Sequence, residues 1–220
     1  MTTLGLAVCM GSIELRWIPL GAGGHLVRWN GLAYEALKAF VERRPRRALF
    51  HSALEIVEDG ERIVVEVTPI PREPADRGVV GEGPVGMRWL GSMRWFRYEV
   101  RAWRGGEIPD ARFAVGGPIV VSDDPEAVRR LLGALRELPL PVWGRDELRT
   151  GEMWNSNSVV SWLLARAGVD LEGIVPPAGG RSPGWDAGIL VARRQRGLGL
   201  QRGPDPNAPS RRSALADEAV

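Results

Sequence analysis

An imidazole and a hydroxyl are the two groups in this chain whose pairing would do chemistry. His51 is one of only two histidines, with His25, and a neutral imidazole can take a proton near neutral pH. Ser156 sits among Trp154-Asn155-Ser156-Asn157-Ser158 at the head of an apolar-periodic run. A hydroxyl in the first turn of a helix faces free amides and the positive end of the dipole, which stabilise developing negative charge. Together they would form a nucleophile and its base. Glu66, on the run after that of His51, would orient the ring. The plainer alternative is that Asn155, Ser156 or Asn157 caps the helix, with no chemistry.

Those residues need elements to hold them. Ala48–Val57 and Arg62–Ile70 alternate apolar and polar residues around Glu58-Asp59-Gly60-Glu61, and Asp-Gly predicts a two-residue hairpin turn. That register puts Ser52, Leu54 and Ile56 on a core face with Ile63, Val65 and Val67. His51, Ala53 and Glu55 then share the opposite face with Val64, Glu66 and Thr68. Ser156, Val159, Val160, Leu163, Leu164 and Ala167 have helical spacing, so Asn155–Ala167 reads as a helix stopped at Gly168, with Ser156 heading its buried stripe.

Around these lie a first strand near Leu4–Ile13, containing Cys9, and a helix from Asn30 through Val41 that must end before Pro45. Pro69–Gly86 reads as a long excursion, Trp89–Trp103 and Pro118–Val121 as strands. Ser122-Asp123-Asp124-Pro125-Glu126 starts a capped helix running through Leu135, and Ala187–Ala192 reads as a last strand. The expectation is a single α+β domain over residues 1–192, an antiparallel sheet packed against helices, with a disordered Arg- and Pro-rich tail over 193–220. No internal repeat is visible.

The order of these pieces resembles the circularly permuted papain-like proteins: NlpC-type peptidases, lecithin:retinol acyltransferase relatives and PPPDE-type peptidases. Phe50-His51-Ser52-Ala53-Leu54-Glu55-Ile56 is similar to their His strand. Asn155-Ser156-Asn157-Ser158-Val159 resembles their Asn- and Cys-rich helix start, and Glu66 lies where their third polar residue is expected. The chain also resembles uncharacterised actinobacterial proteins with the same Glu152–Ser158 segment and a Pro183-Gly184-Trp185 loop. The resemblance implies a hydrolase or acyl-transfer scaffold with Ser156 as nucleophile, His51 as base, Glu66 as orienter and Asn155 or Asn157 as oxyanion donors. Ser156 stands where those relatives carry cysteine, and a hydroxyl must lose its proton during the attack itself, which demands a better-aligned base than a thiolate does. A catalytically inactive papain-like binding protein is the competing expectation.

Composition narrows the rest. One cysteine excludes an intramolecular disulfide, and two histidines leave no Cys/His zinc constellation, so no metal or cofactor is expected. Gly180-Arg181-Ser182-Pro183-Gly184 matches a serine-hydrolase elbow, but prolines stand where its strand and helix should be. Gly81-Glu82-Gly83-Pro84-Val85-Gly86 matches a dinucleotide fingerprint, but Pro84 removes an amide donor and Glu82 would meet the pyrophosphate. Net charge is +2, while residues 193–220 alone hold six arginines against three acids, leaving the body at −1. Nucleic acid is therefore not an expected partner. No run is long enough for a membrane span, and a cytoplasmic location is the expectation. Nine of the fifteen aromatics are Trp, and indoles at Trp143, Trp154, Trp162 and Trp185 would line a cleft for a small-molecule, peptide or acyl ligand.

Overall fold

The computed structural model describes residues 11–21, 35–36, 38–69, 78–108 and 110–201. Cys9 and half of the helix expected over residues 30–41 lie outside these; residues 35–36 and 38–41 are helical. The hairpin forms as its sequence requires. β2 (Ala48–Glu58) and β3 (Glu61–Pro69) pair antiparallel with Leu54 opposite Val65 and Glu58 opposite Glu61. Asp59 (φ 50°) and Gly60 (φ 82°) both take the left-handed conformation of a turn matched to strand twist.

β1 (Gly11–Pro19) lies along the other side of β2, from Gly11 opposite Glu58 to Pro19 opposite Phe50. β4 (Val79–Pro84), β5 (Arg97–Arg104) and β6 (Ile119–Ser122) complete an antiparallel sheet in the order β4-β5-β3-β2-β1-β6. β7 (Gly180–Arg181) adds a short parallel pairing to the first residues of β2. The excursion after Pro69 thus contains a strand. The strand expected from Trp89 begins only at Arg97, because residues 88–92 and 94–96 coil into two 3-10 turns.

All three long helices cover one face. α1 (Pro125–Ala134) is capped by Asp124, whose carboxylate accepts from the amides of Glu126 and Ala127, with Pro125 in the first turn. α2 (Ser156–Ala167) ends at Gly168 in the left-handed conformation, φ 84°. α3 (Trp185–Gln201) replaces the expected strand at Ala187–Ala192 and runs through the proposed tail boundary at 193. An apolar run this short suits either state. Helix wins because Ala187, Val191 and Ala192 bury one side, while Gly188 lies so close to α2 that a Cβ would meet the Ser158 carbonyl at 2.1 Å. Arg194 then donates to the carbonyls of Leu148 and Arg149, and Gln195 accepts from the Trp162 indole.

The main core lies between the sheet and this layer: Ile13, Leu15, Trp17, Leu54, Ile56, Val65 and Val100 meet Leu131, Val159, Val160, Leu163, Leu164 and Val191. A smaller cluster of Ile18, Ala53, Val64 and Ile108 occupies the other face, beneath Trp103, Ala111 and Ala114. Among the described residues no helix is long and apolar enough to cross a membrane.

Candidate functional site

The head of α2 is a buried polar node. Asn155 is its N-cap: Oδ1 accepts from the amides of Asn157 (2.9 Å) and Ser158 (3.3 Å), and Ser158 Oγ returns the bond by accepting from the Asn155 amide. This reciprocal pair is a capping box. Asn155 Nδ2 donates to the Pro183 carbonyl at 2.8 Å. Asn157 reaches further. Its Nδ2 donates to the carbonyls of Phe50 (3.0 Å) and Pro183 (2.9 Å), and its Oδ1 accepts from Ser52 Oγ at 2.9 Å. A single amide therefore joins β2, α2 and the loop before α3.

Pro183-Gly184-Trp185 closes the node. Gly184 has φ 85°, and a Cβ there would stand 2.6 Å from both Asn155 Oδ1 and Ser158 Oγ. Its amide donates to the Glu152 carboxylate at 2.7 Å, and burial pushes that carboxyl above its usual range, against the opposing effect of this bond. Ser161 Oγ donates to the Trp185 carbonyl at 2.6 Å. Trp185 packs against Trp17 with ring centroids 5.0 Å apart.

Ser156 is the exception in this cluster. It is 7% exposed, and its hydroxyl makes no hydrogen bond among the described residues. The capping role falls to Asn155, whose Nδ2 donates one hydrogen to Pro183, and both Nδ2 hydrogens of Asn157 already have carbonyl acceptors.

His51 lies elsewhere. Phe50, Ser52 and Leu54 point to the helix layer, as the Ser52–Asn157 bond and the core cluster require. By strand alternation His51 points to the opposite face, with Ile18 directly across from it and Ala53 two residues on. The sheet thus separates the His51 ring from Ser156, and the expected nucleophile–base pair does not assemble. His51 and the core lie on opposite faces, as the hairpin register requires, and α2 belongs to the core face.

Around His51 the second face carries charge. Glu66 and Thr68 share that face with it, and Arg101 is the cross-strand neighbour of Glu66. Arg16 pairs with the buried Glu55 at 2.8 Å, and Glu99 pairs with Arg101, both buried. Burial holds the His51 pKa below its ordinary value, partly opposed by Asp110 from the covering segment. Burial at this half-buried position thus disfavours a charge on the His51 ring.

The indoles expected to line a cleft are packed instead. Trp154, Trp162 and Trp185 are core residues with Trp17, and Trp143 packs at a tilt against Tyr98 with ring centroids 5.2 Å apart. Among the described residues no group of three or more His, Cys, Asp and Glu side chains could hold a metal ion. Sequence reasoning missed Ser52, Glu152 and Gly184 as members of the node, since each is ordinary in its own segment. It also missed the exposed turns at residues 88–96, whose signal is a Met-Arg-Trp triplet occurring twice, at 87–89 and 93–95. No family model matches the chain, and no match is found among curated proteins or solved structures.

Proposed function

We propose that this is a non-catalytic binding protein, one that has the element order of the permuted papain-like proteins but uses the polar residues at the helix start to hold the fold. The observation that carries this reading is the placement of His51 and Ser156 on opposite faces of the sheet. A serine without an adjacent base stays protonated and is a poor nucleophile. Asn157, which would have donated to an oxyanion, has both amide hydrogens on backbone carbonyls instead.

The test replaces the hydroxyl by a more reporting group. Ser156→Cys in a Cys9→Ala background places one thiol at the helix start, and its alkylation rate is followed against pH with and without His51→Ala. The helix terminus alone lowers the thiol pKa somewhat below the free value of about 8.5. The binding-protein reading expects that value to be indifferent to His51. A rise of the apparent pKa on His51→Ala, or labelling of Ser156 in the unmodified protein by a serine-directed fluorophosphonate, overturns the reading and restores a hydrolase.

A further inference from the structure

The segment between β4 and β5 presents its apolar side chains outward. Two 3-10 turns, Arg88–Ser92 and Arg94–Phe96, contain no buried residue. Trp89 is 68% exposed and Trp95 74%, and Met87, Met93 and Phe96 are exposed beside them. Five large apolar residues within ten positions make an unusual patch for a surface that only faces water.

This projection is anchored. The Val85 amide donates to the Phe96 carbonyl at 2.7 Å, closing the loop at its base, and the amides of Leu90, Met93 and Phe96 each close a turn within it. The Gly86 amide donates to the Trp143 carbonyl, and Arg145 Nε donates to the Gly86 carbonyl at 2.8 Å. Exposure here is the built position of the side chains.

Charge accompanies it. From Gly83 to Tyr98 there are three arginines, Arg88, Arg94 and Arg97, and no acidic residue. Arg97 pairs with Glu82 and Arg88 with Glu147. Arg94 makes no ion pair among the described residues, and the contact of Arg145 is to a carbonyl, so both leave positive charge at the patch.

We propose that the Met87–Phe96 turns dock the protein peripherally on an anionic lipid bilayer. Trp95 projects into solvent, and Trp89 with Met87 forms the rim of a shallow, open depression; indoles this exposed suit insertion at headgroup depth, where an amphipathic ring finds both apolar and polar surroundings. The arginines between them meet lipid phosphate: Glu82 and Glu147 beside the patch are each paired with an arginine, Asp146 accepts from the Thr150 and Gly151 amides, and Arg94 and Arg145 leave a small positive excess. The proposal is independent of whether Ser156 has any chemistry.

The full chain is sedimented with vesicles of phosphatidylcholine alone and of phosphatidylcholine mixed with phosphatidylglycerol, at low and high salt. The expected result is binding to the mixed vesicles that weakens with salt. Trp89→Ser with Trp95→Ser should lower it by about tenfold or more, and Arg94→Gln by roughly fivefold, with melting temperatures unchanged; Trp89→Ser alone serves should the double variant unfold. Equal binding to both vesicle types, or undiminished binding by the Trp variants, overturns the proposal. So does concentration-dependent dimerisation abolished by Trp89→Ser in the absence of vesicle binding, which would give the patch to a second copy of the chain.

Discussion

Asn157 and Ser156 are neighbours with opposite expected sensitivities. Asn157→Ala removes three hydrogen bonds and leaves the Phe50 carbonyl and the Ser52 hydroxyl buried without that partner. Orphaned buried groups cost about 1–3 kcal/mol each, so urea denaturation should show a loss of about 3 kcal/mol. Ser156→Ala removes a hydroxyl that makes no bond among the described residues and should stay within about 1 kcal/mol of the parent. A catalytic pair would show the reverse pattern, with Ser156 decisive for activity. The sequence could not separate the two readings, because a nucleophile at a helix start and a capping cluster call for the same Ser and Asn residues in the same places. What distinguishes them is the partner across space, and Pro183 lies 26 residues from Asn157.

Among the elements, those governed by local rules were the legible ones. The Asp59-Gly60 turn set the hairpin register residue by residue, and Asp124-Pro125 set the start of α1. α3 was misread because Ala187–Ala192 is apolar throughout and its helical identity comes from lying against α2. A chain ending at Ala192 should therefore melt several degrees below one ending at Gln201, since it loses the bonds of Arg194 and Gln195; a thermal scan of the two truncations checks this. Gly184→Ala should be more damaging than a surface change by about 2–3 kcal/mol or more, measured by denaturant midpoint. It adds a Cβ at φ 85° into the oxygens of Asn155 and Ser158.

For the whole molecule, strand alternation showed which residues share a face but not which face the helices would choose, and that choice decided the fate of the candidate site. It also shapes the pH dependence of stability. His51 is held below its unfolded value near 6.5, so the unfolded chain binds a proton that the folded one resists. Its contribution is complete above about pH 6.5 and declines as pH falls toward the folded value, and His51→Gln should flatten that decline in denaturation profiles. Glu152 is raised above 4.5, so its effect has the other sign: the stability it lends is full below 4.5 and is lost as pH rises through the folded value. Glu152→Gln, which can still accept from Gly184, should abolish that loss. The Asn157 amide, which binds Phe50 on one side and Pro183 on the other, also has a meaning for a chain made from its N-terminus onward. The hairpin is synthesised early, yet the helices that cover it are finished only at Gln201, about 130 residues after Pro69. At ribosomal rates that is on the order of ten seconds. Until α1 emerges at Ala134, the side chains of Leu54, Ile56 and Val65 form an uncovered apolar strip on a growing polypeptide, and the cover is complete only when α2 and α3 follow.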